Sequence, residues 1–581
     1  MLHENSSERE WILPRLPAED IIVPGLTPRH NDIHELADEI PRRLRAFQYK
    51  RLSSCLWLVF LGGTGTGKST LFNALCGLEL SRAGVERPKT RGAVAYAHTG
   101  APIEHGFPFP NLPPVRRPAD TLGATPESGE PDKLVILDHD RAELAHLVLV
   151  DTPDLDSLEQ ENRRAAGILV LLADAVVFVT SQEKYADEVP SDFLRRIIEE
   201  EKPVYFLLNK ADPDFSTREA MDMFSGQDIR LPEERGWIVS RSPAPTPETI
   251  QGQTGFRDFQ DRLLEDFSPS SVQKLRRQGL EAGAKGLGMQ LDRLIRLLQA
   301  EDEAAGTWMK DLEGLLQETR EDLIQAESEH FAARNRTRIQ REIRRLFSRY
   351  DLLSRPRRAV RNVILAPLRL LGLQIGKGPS EDGPRANRPP ESLAPILASL
   401  DRFNRRALER LSPSDEEAPL YSAIRRPAVA MTRDEVEARV TAAQEHLESW
   451  LRETFQEMAQ GLPTAKKWSI YSTSIIWGVL VLALEATLGG GFTVIDALLG
   501  SAAAPFLTKG SAELFAYREI QRVVRDMAET YRKGLVSILE EQRDRYASAL
   551  GSVSMPPEEK ERFTELRRLL EQHAAGPIPG S

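Results

Sequence analysis

A short apolar run, Cys55 to Leu61, empties directly into Gly62-x-x-x-x-Gly67-Lys68-Ser69, and the helix-compatible segment TLFNAL follows at once. A glycine-rich loop of this spacing works only between a buried strand and a helix. Its main-chain N–H groups and the helix N-terminus together surround phosphate oxygens. Both flanks are present, so the chain must build an α/β layer around a strand-loop-helix unit. The expected phosphate contacts are Gly62, Gly63, Thr64, Gly65, Thr66, Gly67, Lys68, Ser69 and Thr70. Lys68 would reach the β- and γ-phosphates as a point charge, and the Ser69 hydroxyl would ligate the magnesium ion that bridges them.

A second apolar run, PVYFLL, ends in Asn209-Lys210-Ala211-Asp212. A carboxylate at 212 can accept hydrogen bonds from both N1–H and the 2-amino group of guanine, whereas adenine offers neither donor on that edge. GTP and GDP are therefore expected in preference to ATP. Between these motifs, HLVLVDTPDLDS reads as a buried strand that delivers Asp151 to the phosphate side of the sheet, near the magnesium ion. In the polar segment VERPKTRG, Thr90 is expected to close over magnesium when the γ-phosphate is present. WIVSRSPAP supplies a last candidate guanine-contacting loop around Ser240.

Over residues 52–267 these motifs resemble the Era-like and dynamin-like branch of bacterial GTPases, through GGTGTGKSTLFNAL, RPKTRG, DTPDLDS, SQEKYAD and NKAD. The resemblance implies a mostly parallel, doubly wound sheet that hydrolyses GTP. It assigns the phosphates to Gly65, Gly67 and Lys68, magnesium to Ser69 and Thr90, the γ-phosphate switch to Asp151, and guanine to Asn209, Lys210 and Asp212. Lys68, Thr90 and Asp151 would carry the hydrolytic step. The family's switch has a Gly whose N–H meets the γ-phosphate where this chain has Asp154, a carboxylate that must point away or pair with Lys or Arg beside a triphosphate. The resemblance also leaves no water-polarising group identified: dynamins carry a Gln where Thr64 stands, and potassium-assisted Era-like enzymes an Asn where Gly65 stands. Slow intrinsic turnover, assisted by self-association or a partner, is what it implies.

The 581 residues exceed one such domain. We expect an N-terminal arm and a short helix, Asp32 to Phe47, within 1–50; a G domain over 51–268; a helical stalk over 269–375; a linker over 376–392; a helical region over 393–462; an apolar hairpin over 463–508; and C-terminal helices and a tail over 509–581. The net charge of −11 disfavours nucleic acid as a general partner. Two cysteines, Cys55 and Cys76, have neither metal nor disulfide spacing and suit core positions in a reducing cytosol. MLHENSSEREW has no apolar signal core, so a chain that is not secreted is expected. Gly100 to Asp132, rich in Pro and Gly, reads as an irregular insertion.

Beyond Phe267 the pattern becomes helical. Leu280, Leu287, Leu291, Leu294, Leu298, Leu312, Leu315 and Leu316 recur at helical steps, and Gly283, Gly286, Gly288 and Gly306 are expected to interrupt them, which favours a bundle over an extended coiled coil. Arginines crowd Arg334 to Arg369, where RPRRAVRNVILAPLRLLGLQI combines them with apolar residues. That composition suits a helix in an anionic lipid interface, a nucleic-acid contact, or a solvated basic face. Trp468 to Leu507 nearly lacks charge and reads as two helices joined at Gly489 to Gly491. Membrane insertion as a hairpin with both ends on the cytoplasmic side is the favoured reading; burial within a soluble cytoplasmic bundle is the other. The sequence thus points to a membrane-associated GTP switch whose partners are GTP, anionic lipid and a second copy of itself. A slow GTP-gated scaffold and an RNA-associated GTPase are the alternatives.

Overall fold

The computed structural model describes residues 21–82, 92–119, 129–155, 160–183, 188–212, 215, 219, 233–334, 393–460 and 511–574. The chain divides into two compact units: one comprises residues 1–21, 31–298 and 556–581, the other residues 22–30 and 299–555.

The first unit is built on a single eight-stranded sheet. Its strands are β1 (Leu56–Leu61), β2 (Ala93–His98), β3 (Pro114–Pro118), β4 (Leu134–His139), β5 (Leu147–Asp151), β6 (Ala175–Ser181), β7 (Val204–Ala211) and β8 (Gly236–Ser240). They lie in the order β3-β4-β2-β5-β1-β6-β7-β8. Only β2 with β5 is antiparallel; every other pair is parallel. A parallel sheet must be covered on both faces, which is why β1 reads LWLVFL rather than alternating with polar residues. Trp57, Val59 and Leu61 enter one core, and Leu56, Leu58 and Phe60 the other. Two helices flank β1 in sequence, α1 (His30–Leu52) and α2 (Lys68–Cys76). Further along lie α3 (Gln160–Leu172), α4 (Glu188–Glu199), α5 (Pro247–Gln251) and α6 (Thr254–Asp266).

The stretch Gly100 to Asp132, expected to be irregular, contains β3. It also buries Ala101, Ile103, Phe109 and Leu112. Prolines at both ends of β3 suit an edge strand, since they withhold N–H donors from further pairing. Arg116 on β3 ties the insertion down through Asp138 Oδ1 at 2.5 Å and Glu104 Oε1 at 2.6 Å. The first helix also exceeds the expected Asp32 to Phe47, because its last turns are held by tertiary contacts: Tyr49 donates to the Ile103 carbonyl at 2.9 Å, and Lys50 pairs with Asp174 at 2.7 Å.

After α6, one helix, α7 (Val272–Arg334), runs for 63 residues. The four glycines expected to interrupt it do not. Each costs about 1 kcal/mol of helix propensity, but burial of Leu287, Leu291 and Leu294 in the first unit and of Leu312, Leu315 and Leu316 in the second offsets that cost. The second unit adds α8 (Ala394–Arg410), α9 (Pro419–Ala423), α10 (Arg433–Gln460) and α11 (Ser511–Gly551). A reciprocal cap starts α10: Thr432 N donates to Glu435 Oε2 at 2.7 Å, and Glu435 N to Thr432 Oγ1 at 3.3 Å. Trp308, Leu312, Leu400, Phe403, Val436, Ile538 and Leu539 share one core. The last helix, α12 (Pro557–Ala574), belongs to the first unit, where Arg567 meets Asp292 at 2.9 Å.

The described part of the N-terminal arm is held by side-chain hydrogen bonds. Glu301, buried to 1% exposure, accepts hydrogen bonds from the main-chain N–H groups of Gly25, Leu26 and Thr27 and from the Thr27 hydroxyl, at 3.0, 3.0, 2.7 and 2.5 Å. Thr90, the arginines from Arg336 to Arg369, the linker over 376–392 and the apolar segment Trp468 to Leu507 lie outside the described residues. Among the described residues, no helix is long and apolar enough to cross a membrane.

Candidate nucleotide site

Parallel strands bring their C-terminal ends to one edge of the sheet, and the phosphate loop, Asp151, Asn209 and Lys210 meet there. The loop from Gly62 to Gly67 leaves β1 and enters α2 at Lys68. Gly67 has φ +93°, and a Cβ there would overlap the Asn209 amide. At Gly62 a Cβ would overlap the Val179 carbonyl on β6. Both positions therefore require glycine for close approach as well as for conformation. Inside the loop, the Thr66 hydroxyl donates to the Gly63 carbonyl at 2.9 Å. Thr64 and Gly65 are more open, Gly65 being exposed, and Thr70 is half-buried on the first turn of α2.

Two side chains from β7 brace this loop. Asn209 Nδ2 donates to the Thr66 carbonyl at 2.9 Å, and Lys210 Nζ to the Gly65 carbonyl at 2.7 Å. Lys210 owes its direction to a bulge: pairing with β8 shifts between Asn209 and Ala211, and Lys210 takes φ 59°. Asp212 follows, exposed, with its N–H bonded to Gln182 Oε1 at 3.3 Å. Ser240, at the end of β8, is held by Gln253, which accepts from Ser240 N at 2.8 Å and donates to its carbonyl at 3.1 Å.

At the end of β5, Asp151 is completely buried, and burial pushes its carboxyl above the usual range while Lys68 and two hydroxyls act in the opposite direction. Its Oδ2 accepts from Ser69 Oγ and from Ser81 Oγ, each at 2.6 Å. Its Oδ1 is buried with no partner among the described residues. A buried carboxylate with one oxygen left over, beside a serine hydroxyl, is a hard-oxygen donor set that fits magnesium. Ser69 and Asp151 are the residues that would hold it; Thr90 lies outside the described residues.

The Asp154 carboxylate pairs with Lys68, Oδ1 to Nζ at 2.5 Å, so the acid at this position has a basic partner in the phosphate-loop lysine. The next residue, Leu155, donates its N–H to the Gly62 carbonyl at 3.3 Å. Four residues of this edge had no assigned role in the sequence: Asn73, Ser81, Gln182 and Gln253. Asn73 lies within GGTGTGKSTLFNAL and Gln182 within SQEKYAD; Ser81 and Gln253 sit in no recognisable motif, because their contacts are made across the fold.

The family model for the 50S ribosome-binding GTPase matches residues 58–210, so the chain carries a P-loop GTPase domain. The chain is similar to the "Uncharacterized protein in xynA 3′region" of Caldicellulosiruptor sp. (strain Rt8B.4), at 28% identity over 185 residues; the match covers 30% of this chain and 45% of that protein's length. Two solved chains of an oligomerised bacterial dynamin pair, described as a mechanism for the long-range sensing and tethering of membranes, are also similar. One has a TM-score of 0.37 at 11% identity, covering 93% of this chain and 92% of its own. The other has a TM-score of 0.33 at 9% identity, covering 93% and 91%.

Proposed function

We propose that this chain, with its GTPase domain and helical region, is a membrane-associated switch that binds GTP with magnesium, hydrolyses it to GDP and phosphate, and couples its nucleotide state to the helical region. The observation that carries the nucleotide part is the convergence of Lys68, Ser69, Asp151, Asn209 and Lys210 around one glycine-rich loop. In this reading Lys68 leaves Asp154 to meet the β- and γ-phosphates, while loop N–H groups surround the remaining oxygens. Asp212 selects guanine. Magnesium, when bound, would neutralise phosphate charge; Ser69 and Asp151 would hold it, with Thr90 the further residue expected to join them. Release of Asp154 from Lys68 frees the segment after β5 up to Leu155, and that local change is the start of the switch.

The membrane part rests on composition: Trp468 to Leu507 is nearly uncharged, Lys466 and Lys467 precede it, Lys509 follows it, and arginines crowd Arg334 to Arg369. The same arginines and the description of the matching family favour a second reading, a GTPase that engages ribosomal RNA.

The deciding experiment measures GTP hydrolysis by the full chain alone, with anionic liposomes and with ribosomal RNA, beside Lys68→Ala and a deletion of residues 468–507. A Lys68-dependent rate raised by liposomes, with the rise lost on deletion, supports the membrane switch. Stimulation by RNA alone supports the second reading. Stoichiometric GTP binding without turnover under every condition replaces both with a GTP-gated scaffold.

A further inference from the structure

Ser81 follows α2 by five residues and is fully buried. No phosphate-loop or guanine motif includes it. Its main chain is gripped on both sides by the Asn73 side chain: Asn73 Nδ2 donates to the Ser81 carbonyl at 2.7 Å, and Asn73 Oδ1 accepts from Ser81 N at 2.8 Å and from Leu80 N at 3.1 Å. Asn73 stands one helical turn after Ser69, on the same helix. The hydrogen bonds therefore close a ring, from α2 through Asn73 to Ser81, through the Ser81 hydroxyl to Asp151 Oδ2, and through Ser69 back to α2.

A single hydroxyl would leave the Asp151 carboxylate free to rotate about its last bond. Two hydroxyls from different segments, both on Oδ2, fill that oxygen's lone pairs and set the carboxylate plane. Oδ1 is then the oxygen left for the ion's coordination sphere. We propose that Ser81 is a positioning residue of the magnesium site, which orients Asp151 and is itself fixed by Asn73. The proposal rests on the GTPase reading of the same site. A serine that only satisfied its own hydroxyl would support the fold equally with and without the ion. A positioning serine acts through magnesium.

The test loads the full chain with a fluorescent N-methylanthraniloyl derivative of GDP and follows its release at buffered free magnesium from zero, in EDTA, to millimolar. Wild-type release is expected to slow as magnesium rises. Ser81→Ala, which removes the hydroxyl without adding volume, is expected to release at the wild-type rate in EDTA and to need three- to tenfold more magnesium for half of the slowing. Ser81→Cys, of similar size but a weaker donor, should fall between them, and Asn73→Ala should shift the midpoint in the same direction. An unchanged midpoint in Ser81→Cys and Ser81→Ala overturns the proposal, as does release that quickens equally at every magnesium concentration. A wild-type chain whose release ignores magnesium overturns the metal reading of the site itself, and the proposal with it.

Discussion

Lys68 and Asp154, 86 positions apart in the chain, form an ion pair of 2.5 Å at the mouth of the phosphate loop. The lysine is 3% exposed and the aspartate 21%. The pair compensates the charge of a nearly buried ammonium, and a phosphate must displace it to reach Lys68. Asp154→Ala should therefore raise the free energy of the empty site more than that of the filled one. Affinity for GTP and GDP is expected to rise about tenfold, worth ~1.4 kcal/mol, while the nucleotide-free protein melts at a lower temperature. Titration calorimetry and a thermal melt on the same preparation check both signs; weaker binding would show that Asp154 helps to hold the nucleotide.

Guanine selection by Asp212 predicts a change of base preference. An amide at 212 offers one acceptor and one donor, and so cannot accept from both N1–H and the 2-amino group of guanine; it matches xanthine, which has an oxygen in place of the 2-amino group. Asp212→Asn should weaken GTP binding on the order of a hundredfold, about 3 kcal/mol, and improve binding of xanthosine triphosphate. Competition of the two nucleotides for the loaded site measures the exchange. Equal loss of both would remove Asp212 from the base pocket.

His139, at the end of β4, is 7% exposed and packs against Tyr96 with ring centroids 4.2 Å apart and the rings tilted by 36°. Burial lowers its pKa from 6.5 to about 4, helped by His98 and Arg141. The unfolded chain thus binds a proton that the folded chain refuses. The neutral ring's contribution is complete above pH 6.5 and is lost as pH falls toward 4. The acid side of the stability curve should steepen across that window, and His139→Gln should flatten it. Melting temperatures at half-unit pH steps check this; parallel curves would contradict it.

Glu301 holds the N-terminal arm through four donors at a nearly buried site. Glu301→Ala leaves those N–H groups without their acceptor, at a cost of about 2–4 kcal/mol. Amide exchange at Gly25, Leu26 and Thr27 should accelerate sharply, with exchange in β1 and β5 unchanged. Retained protection at the three amides would show that other contacts hold the arm.

The nucleotide edge and the arm differ in how they can be read. The spacing of Gly62, Gly67, Lys68 and Ser69, and the Asn209-Lys210-x-Asp212 signature after an apolar run, are local codes. A strand, a loop and a helix start within a dozen residues determine which backbone groups face a phosphate, and a uniformly apolar LWLVFL determines a strand covered on both faces. Those features needed no knowledge of distant segments. The rest is decided by contacts between them. Nothing near Ser81 indicates that its hydroxyl meets Asp151, 70 positions away, nor near Gly25 that its N–H meets Glu301, 276 positions away. Helix propensity placed breaks at Gly283, Gly286, Gly288 and Gly306, yet α7 passes through all four, since a local cost of about 1 kcal/mol per glycine is outweighed by leucines buried against other elements. Asp154 could be recognised from the sequence as an acid beside phosphates, but its partner could not. Short-range geometry is encoded in neighbours along the chain, whereas burial and pairing depend on which segments the folded core brings together.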